Sequence, residues 1–228
     1  MQTGSNMARR PYRTTEPRIV RIPPIGLEGL LALPDAPTGL VIFAHGSGSS
    51  RLSPRNSYVA NALQRVGLAT LLFDLLTERE AADRNRVFDI PLLAERLVAA
   101  TEWAAAEPET AGLPIAYFGA STGAAAALVA AALAPEGIAA VVSRGGRPDL
   151  AGDLLGRVAA PTLLIVGGVD HAVLDLNRGA LDAMTCERRL WVVPGATHLF
   201  EEPGTLDKVI ELARDWFTTR MPARRADA

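Results

Sequence analysis

The chain has 228 residues, of which 49% are hydrophobic and 21% charged. These are the proportions of an ordinary globular protein, and the length suits one hydrophobic core, since a single core can grow to roughly 250 residues before chains tend to split. Its 23 basic and 25 acidic residues nearly cancel, so the broad positive field that draws a protein onto nucleic acid is missing. A single cysteine, Cys186, rules out an internal disulfide, and no apolar run reaches the length of a membrane span or a signal-peptide core. No nucleic-acid partner and no membrane partner is expected, and the cytoplasm is the expected location.

In chain order, residues 1–17 read as a flexible N-terminal arm. Residues 18–22 and 27–33 read as an antiparallel pair of edge strands, separated by the breaker Pro23-Pro24-Ile25-Gly26. Short apolar runs then follow at 39–44, 69–74, 114–119, 137–143, 162–167 and 188–193, each apolar enough to be buried on both faces. Between them lie helical candidates at 54–66, 86–107, 122–134, 174–184 and 205–219, with a shorter one at 150–156. Alternation of this kind predicts an α/β fold: a mostly parallel, eight-stranded sheet with helices on both faces. Residues 18–219 form the expected single domain, and 220–228 a flexible tail.

Immediately after the fifth strand comes Gly119-Ala120-Ser121-Thr122-Gly123, followed by an alanine-rich helix. This is G-x-S-x-G in strand–turn–helix context, where flanking glycines let a sharp turn push the serine hydroxyl clear of the backbone. The N-terminus of the following helix favours negative charge developing on a carbonyl oxygen under attack. A serine hydroxyl needs a base to take its proton, and in this arrangement the acid and then the histidine follow the serine in the chain. Of the three histidines, His45 precedes Ser121 and reads as a brace for its loop. His171 shares a loop with the acid and is expected at the surface. His198 sits in the loop after the last strand and is the expected base. Asp170, just past the C-terminal end of the seventh strand, is the expected acid, with Asp175 as its rival. The third strand ends in His45-Gly46-Ser47-Gly48-Ser49-Ser50, so the backbone amides of Ser47 and Thr122 are the expected oxyanion-hole donors, each contributing about 3 kcal/mol to the transition state.

On these motifs, together with Ser143-Arg144-Gly145-Gly146-Arg147-Pro148-Asp149, the chain resembles the dienelactone-hydrolase-like branch of the α/β hydrolases over residues 20–217. The resemblance implies an α/β-hydrolase domain with esterase or lactonase chemistry, although dienelactone hydrolases proper carry a cysteine where this chain has Ser121. It also implies that similar chains can be fused to phosphoribosyltransferase domains. The pattern of those domains is two acidic residues after a strand and then a small-residue loop, and no strand end in this chain supplies it.

Fewer than twenty residues separate Ser143 from Thr162, too few for an inserted helical cap. No large cap domain is expected, and the pocket should be shallow, open and suited to short esters. Arg144 and Arg147 lie at a strand end beside the site. They either hold a substrate carboxylate bidentately or pair with Asp149 or Asp153. The sequence therefore predicts a serine esterase that cleaves small carboxylic esters through an acyl-enzyme, with no cofactor and no metal, acting as a monomer or homodimer. Thioester hydrolysis, acyl transfer and peptide cleavage use the same machinery, and a non-catalytic binding protein on the same fold is the alternative from another class.

Overall fold

The computed structural model describes residues 16–134 and 136–221. The arm expected at 1–17 lies largely outside the described residues, as does the tail beyond 221. Eight strands form one sheet: β1 (Arg18–Ile22), β2 (Leu27–Ala32), β3 (Gly39–Ala44), β4 (Leu68–Phe73), β5 (Ile115–Ala120), β6 (Ile138–Arg144), β7 (Thr162–Gly167) and β8 (Arg188–Val193). Their spatial order is β1-β2-β4-β3-β5-β6-β7-β8. The β1–β2 and β2–β4 pairs are antiparallel and the remaining pairs parallel. Strands β3, β4, β5 and β7 are buried along their whole length, as their unbroken apolar runs require when helices cover both faces.

Alternation along each central strand divides the interior into two layers. Leu40, Ile42 and Tyr117 face a core shared with helices α4 (Ile90–Ala106), α5 (Thr122–Leu133) and α6 (His171–Ala183). Val41, Phe43, Ala116 and Phe118 face the opposite layer, built on α1 (Pro54–Gln64) and α7 (Thr205–Arg220). Helix α5 is almost all alanine and is buried on nearly every side. Small side chains let it lie close against the sheet, and a helix apolar all round is one enclosed by its neighbours.

Three boundaries differ from the sequence expectation, each for a local reason. The helix expected over 86–107 is divided between α3 (Arg84–Val87) and α4, and a short helix without a counterpart in the expectation, α2 (Glu78–Ala81), precedes them. Helix α4 restarts at Ile90 because the Asp89 carboxylate accepts from the Leu92 amide and proline occupies its first turn. Helix α6 begins at His171 rather than residue 174, with Asp170 as its N-terminal flanking residue. Helix α7 runs on to Arg220, and Met221 is buried against the core, so the ordered chain passes the expected end at 219. Between β6 and β7 lies only a 3-10 segment, Pro148–Arg157, kinked at Gly152, and no large cap is inserted there.

Candidate active site

The parallel register brings the C-terminal ends of the central strands side by side. Ala44 lies opposite Gly119, Ala120 opposite Arg144, and Gly167 opposite Val193. The loops that follow these strands therefore meet at one edge of the sheet, where open α/β folds place their ligands.

Ser121 occupies the turn between β5 and α5 with φ +51° and ψ −122°, a conformation that costs a non-glycine residue about 1–3 kcal/mol and persists only where its surroundings enforce it. They do so here. The amide of Arg147 donates to the Ser121 carbonyl at 3.1 Å, and the same oxygen accepts from the Ala124 amide at 3.1 Å. A Cβ on Gly123 would collide with the carbonyl oxygens of Ala44 and His45, and one on Gly119 with the backbone of Ala124. The tightness of this turn thus explains both glycines of the pentapeptide.

Asp170 and His198 come together from loops at the ends of β7 and β8. Asp170 Oδ2 lies 2.7 Å from His198 Nδ1, with the Asp170 side chain 15% and the His198 side chain 39% exposed. Asp170 flanks the start of α6 without capping it, so its carboxylate is free for the imidazole. The His198 loop is braced by Glu202, whose carboxylate accepts from the Thr197 amide at 3.1 Å. Asp175 lies further along α6 and pairs with Arg178 at 2.9 Å on the exposed surface, away from this arrangement. His171 is exposed. Ser121 and His198 line one narrow cleft of about 200 Å³, together with Arg144, Asn56, Arg55 and Leu199.

His45 supports the neighbouring loop. Its Nε2 accepts from the Leu75 amide at 3.1 Å, so Nδ1 carries the proton and donates to the Gly46 carbonyl at 3.0 Å. Burial lowers its pKa from the usual imidazole value, against smaller opposing effects of the Gly46 carbonyl and Asp74. Arg51 ties the end of the same loop to the sheet. Its amide donates to Asp74 Oδ1 at 2.7 Å, and its guanidinium pairs with Asp74 and with Glu28, the latter at 2.6 Å. The loop thus held carries Ser47 close to the serine turn, and a Cβ on Gly46 would stand 3.0 Å from Ser121 Cβ. Neither the Ser47 amide nor the Thr122 amide donates to another described residue.

Ser47 and Thr122 also border a second and larger chamber, of about 630 Å³. Its apolar wall includes Leu27, Leu52, Leu75, Leu76, Val87 and Leu93. The short β6–β7 connection thus leaves a small cleft at Ser121 and His198, and beside it lies an apolar chamber that those two residues do not line. The segment between β4 and α4, with its two short helices, supplies the wall that a cap supplies elsewhere. The sequence carried a signal for this in Thr77 and Glu80, which form a reciprocal capping box at the start of α2. Asn56 was not foreseen at all: it is an interior residue of an ordinary-looking helix, and only the docking of α1 turns it into the cleft.

The two arginines diverge. Arg147 is engaged bidentately by Asp149, at 2.9 and 2.7 Å, which is the pairing alternative foreseen for it. Arg144 is buried, at 7% exposure, and lines the cleft. Among the described residues no cluster of three or more metal-ligating side chains occurs, and no helix is long and apolar enough to cross a membrane.

Comparison with known proteins found no matching family model. Two Mycobacterium tuberculosis proteins, from strains CDC 1551 and H37Rv and provisionally named phosphoribosyl transferases, are each 60% identical to this chain over 207 residues. The match covers 91% of this chain and 46% of theirs, so the chain spans about half the length of the curated relatives it matches. A dienelactone hydrolase from Anabaena variabilis is 53% identical, with 93% of this chain and 100% of that one covered and a TM-score of 0.87. Est1E from Butyrivibrio proteoclasticus, at 17% identity and a TM-score of 0.75 over 90% of this chain and 99% of that one, shares the fold. With its strand order, its G-x-S-x-G turn and a full-length match to a dienelactone hydrolase, the chain belongs to the dienelactone-hydrolase-like branch of the α/β-hydrolase superfamily.

Proposed function

We propose that the chain is a serine hydrolase that cleaves small carboxylic esters through an acyl-enzyme, with Ser121 as nucleophile, His198 as general base and acid, and Asp170 as its orienting carboxylate. The observation that carries this reading is the Asp170–His198 pair at 2.7 Å, in a cleft that His198 shares with a serine on a positive-φ elbow. Asp170 accepts from Nδ1 and so leaves Nε2 as the basic nitrogen available to the serine. As Ser121 Oγ attacks the ester carbonyl, Nε2 takes its proton. The amides of Ser47 and Thr122 stabilise the oxyanion, aided by the dipole of α5. Collapse of the tetrahedral intermediate sends the proton from Nε2 to the leaving alcohol. Water then repeats the sequence on the acyl-enzyme.

The test is labelling with a fluorophosphonate probe and peptide mapping, alongside hydrolysis of p-nitrophenyl butyrate. The expected result is labelling at Ser121 and, for Ser121→Ala, a folded protein that is unlabelled and slower by more than about a thousandfold. Labelling at another residue, or activity surviving in Ser121→Ala, removes Ser121 from the role.

A further inference from the structure

We infer that Arg144 is a specificity-determining residue, a cation that holds an anionic group on the alcohol arm of the ester, so that preferred substrates combine a neutral apolar acyl arm with a carboxylate- or phosphate-bearing leaving group. The inference rests on the roles proposed above for Ser121 and His198.

An arginine taken out of water is costly unless its charge is matched. Arg144 ends β6 with its neighbours in register, Ala120 and Ile165, both apolar. Its buried Nε has no hydrogen-bond partner among the described residues. Burial pushes its pKa down to about 10, the like charge of Arg55 pushes the same way, and no carboxylate among the described residues offsets them. Its ring contact is with Phe200, at 6.0 Å from the centroid. The nearby carboxylate Asp149 is taken by Arg147. A second buried polar side chain on the same cleft, Asn56, also has an atom, Oδ1, with no partner among the described residues. An uncompensated guanidinium beside the reacting serine is a fork of donors matched to a planar carboxylate or to phosphate oxygens.

The direction of the substrate follows from proton transfer. His198 must hand its proton to the leaving oxygen, so the alcohol arm lies on the His198 side, in the cleft that Arg144 lines. The acyl arm then passes Ser47 and Thr122 into the larger chamber, which Ser121, His198 and Arg144 do not line. That chamber also has an arginine on its wall, but Arg51 is neutralised by Asp74 and Glu28. One side of the site thus presents apolar wall with its cation already paired, and the other presents a cation with none.

Butyrate esters of three phenols test this: 3-hydroxybenzoate, 3-hydroxyphenyl phosphate and the neutral 3-hydroxybenzamide. The wild-type protein should favour at least one anionic ester over the amide by about tenfold or more in kcat/KM, mainly through KM, and the anion preferred tells carboxylate from phosphate. Arg144→Gln should bring that ratio close to one, and Arg144→Lys should restore part of it. A wild-type ratio at or below one overturns the inference, as does an Arg144→Gln protein that keeps the preference. If Arg144→Gln fails to fold, competition in the wild-type protein decides: 3-hydroxybenzoate or 3-hydroxyphenyl phosphate should inhibit p-nitrophenyl butyrate hydrolysis better than 3-hydroxybenzamide does, and equal inhibition overturns the inference. Ser121 labelling with hydrolysis of all three esters and no anion preference strikes Arg144 alone. Absence of both labelling and hydrolysis overturns the serine-hydrolase reading and this one with it.

Discussion

Asp170 gives up a local structural bond for a pairing across the site. An aspartate before a helix ordinarily caps it by accepting from a first-turn amide, yet the Asp170 side chain makes no such bond and reaches His198 instead. Replacing it with asparagine keeps the shape but favours the wrong imidazole tautomer. Asp170→Asn should therefore slow turnover by roughly 10⁴ with little change in melting temperature, as read by kcat on p-nitrophenyl butyrate and by thermal unfolding. Asp175→Asn is the control, since its carboxylate serves only an exposed pair with Arg178. Equal effects of the two substitutions would remove Asp170 from its assigned part.

At the level of elements, the stretch from β4 to α4 and the loop after β3 shape the site between them. Because Leu75, Leu76 and Val87 wall the larger chamber, lengthening the acyl group should be rewarded. A buried methylene contributes about 0.8 kcal/mol, or roughly fourfold in kcat/KM. We expect kcat/KM to rise from p-nitrophenyl acetate through butyrate to hexanoate, and Leu76→Ala or Val87→Ala to flatten the rise. A flat series in the wild-type protein would mean the acyl arm does not enter the chamber. The loop after β3 has its own dependence on pH. His45 accepts from the Leu75 amide, which a protonated imidazole cannot do, and burial holds its pKa below the usual value. The unfolded chain thus binds the proton more readily than the folded one. Stability from this source is complete above about pH 6.5 and is lost as pH falls below it toward the folded-state pKa. Urea midpoints measured from pH 7.5 to 5 should fall, and His45→Asn should remove that part of the slope. Parallel profiles for the two proteins would show that His45 does not set it.

For the whole molecule, the sheet is closed on both faces by a buried apolar layer. Helix α7 closes its layer over β6, β7 and β8 with Val209, Ala213, Trp216 and Phe217, all buried, and Arg220 stacks on the Trp216 ring at 3.4 Å from its centroid. A fully buried phenylalanine cut to alanine leaves a cavity, so Phe217→Ala should lower unfolding free energy by about 3–5 kcal/mol in urea titrations. A loss under about 1 kcal/mol would show that α7 is not anchored through this ring.

What the sequence determined by itself was local and periodic. Unbroken apolar runs such as Gly39–Ala44 declared themselves as doubly covered strands because burial on both faces leaves no room for polar alternation. The Gly119 to Gly123 turn declared itself because that geometry tolerates no side chain at its two ends. Chain order then singled out Asp170 and His198 as candidates. What tertiary structure alone decided was which distant side chains meet. Arg144 and Arg147 stand three residues apart and look alike in sequence, yet Arg147 is paired with Asp149 and Arg144 is buried with no counter-ion among the described residues. The apolar chamber beside the cleft could not be read from the short β6–β7 connection, because part of its wall comes from the segment between β4 and α4. Pairing of charges and the closing of a cavity are set by how loops from separate strands come together in space, and no local pattern in the chain encodes those distances.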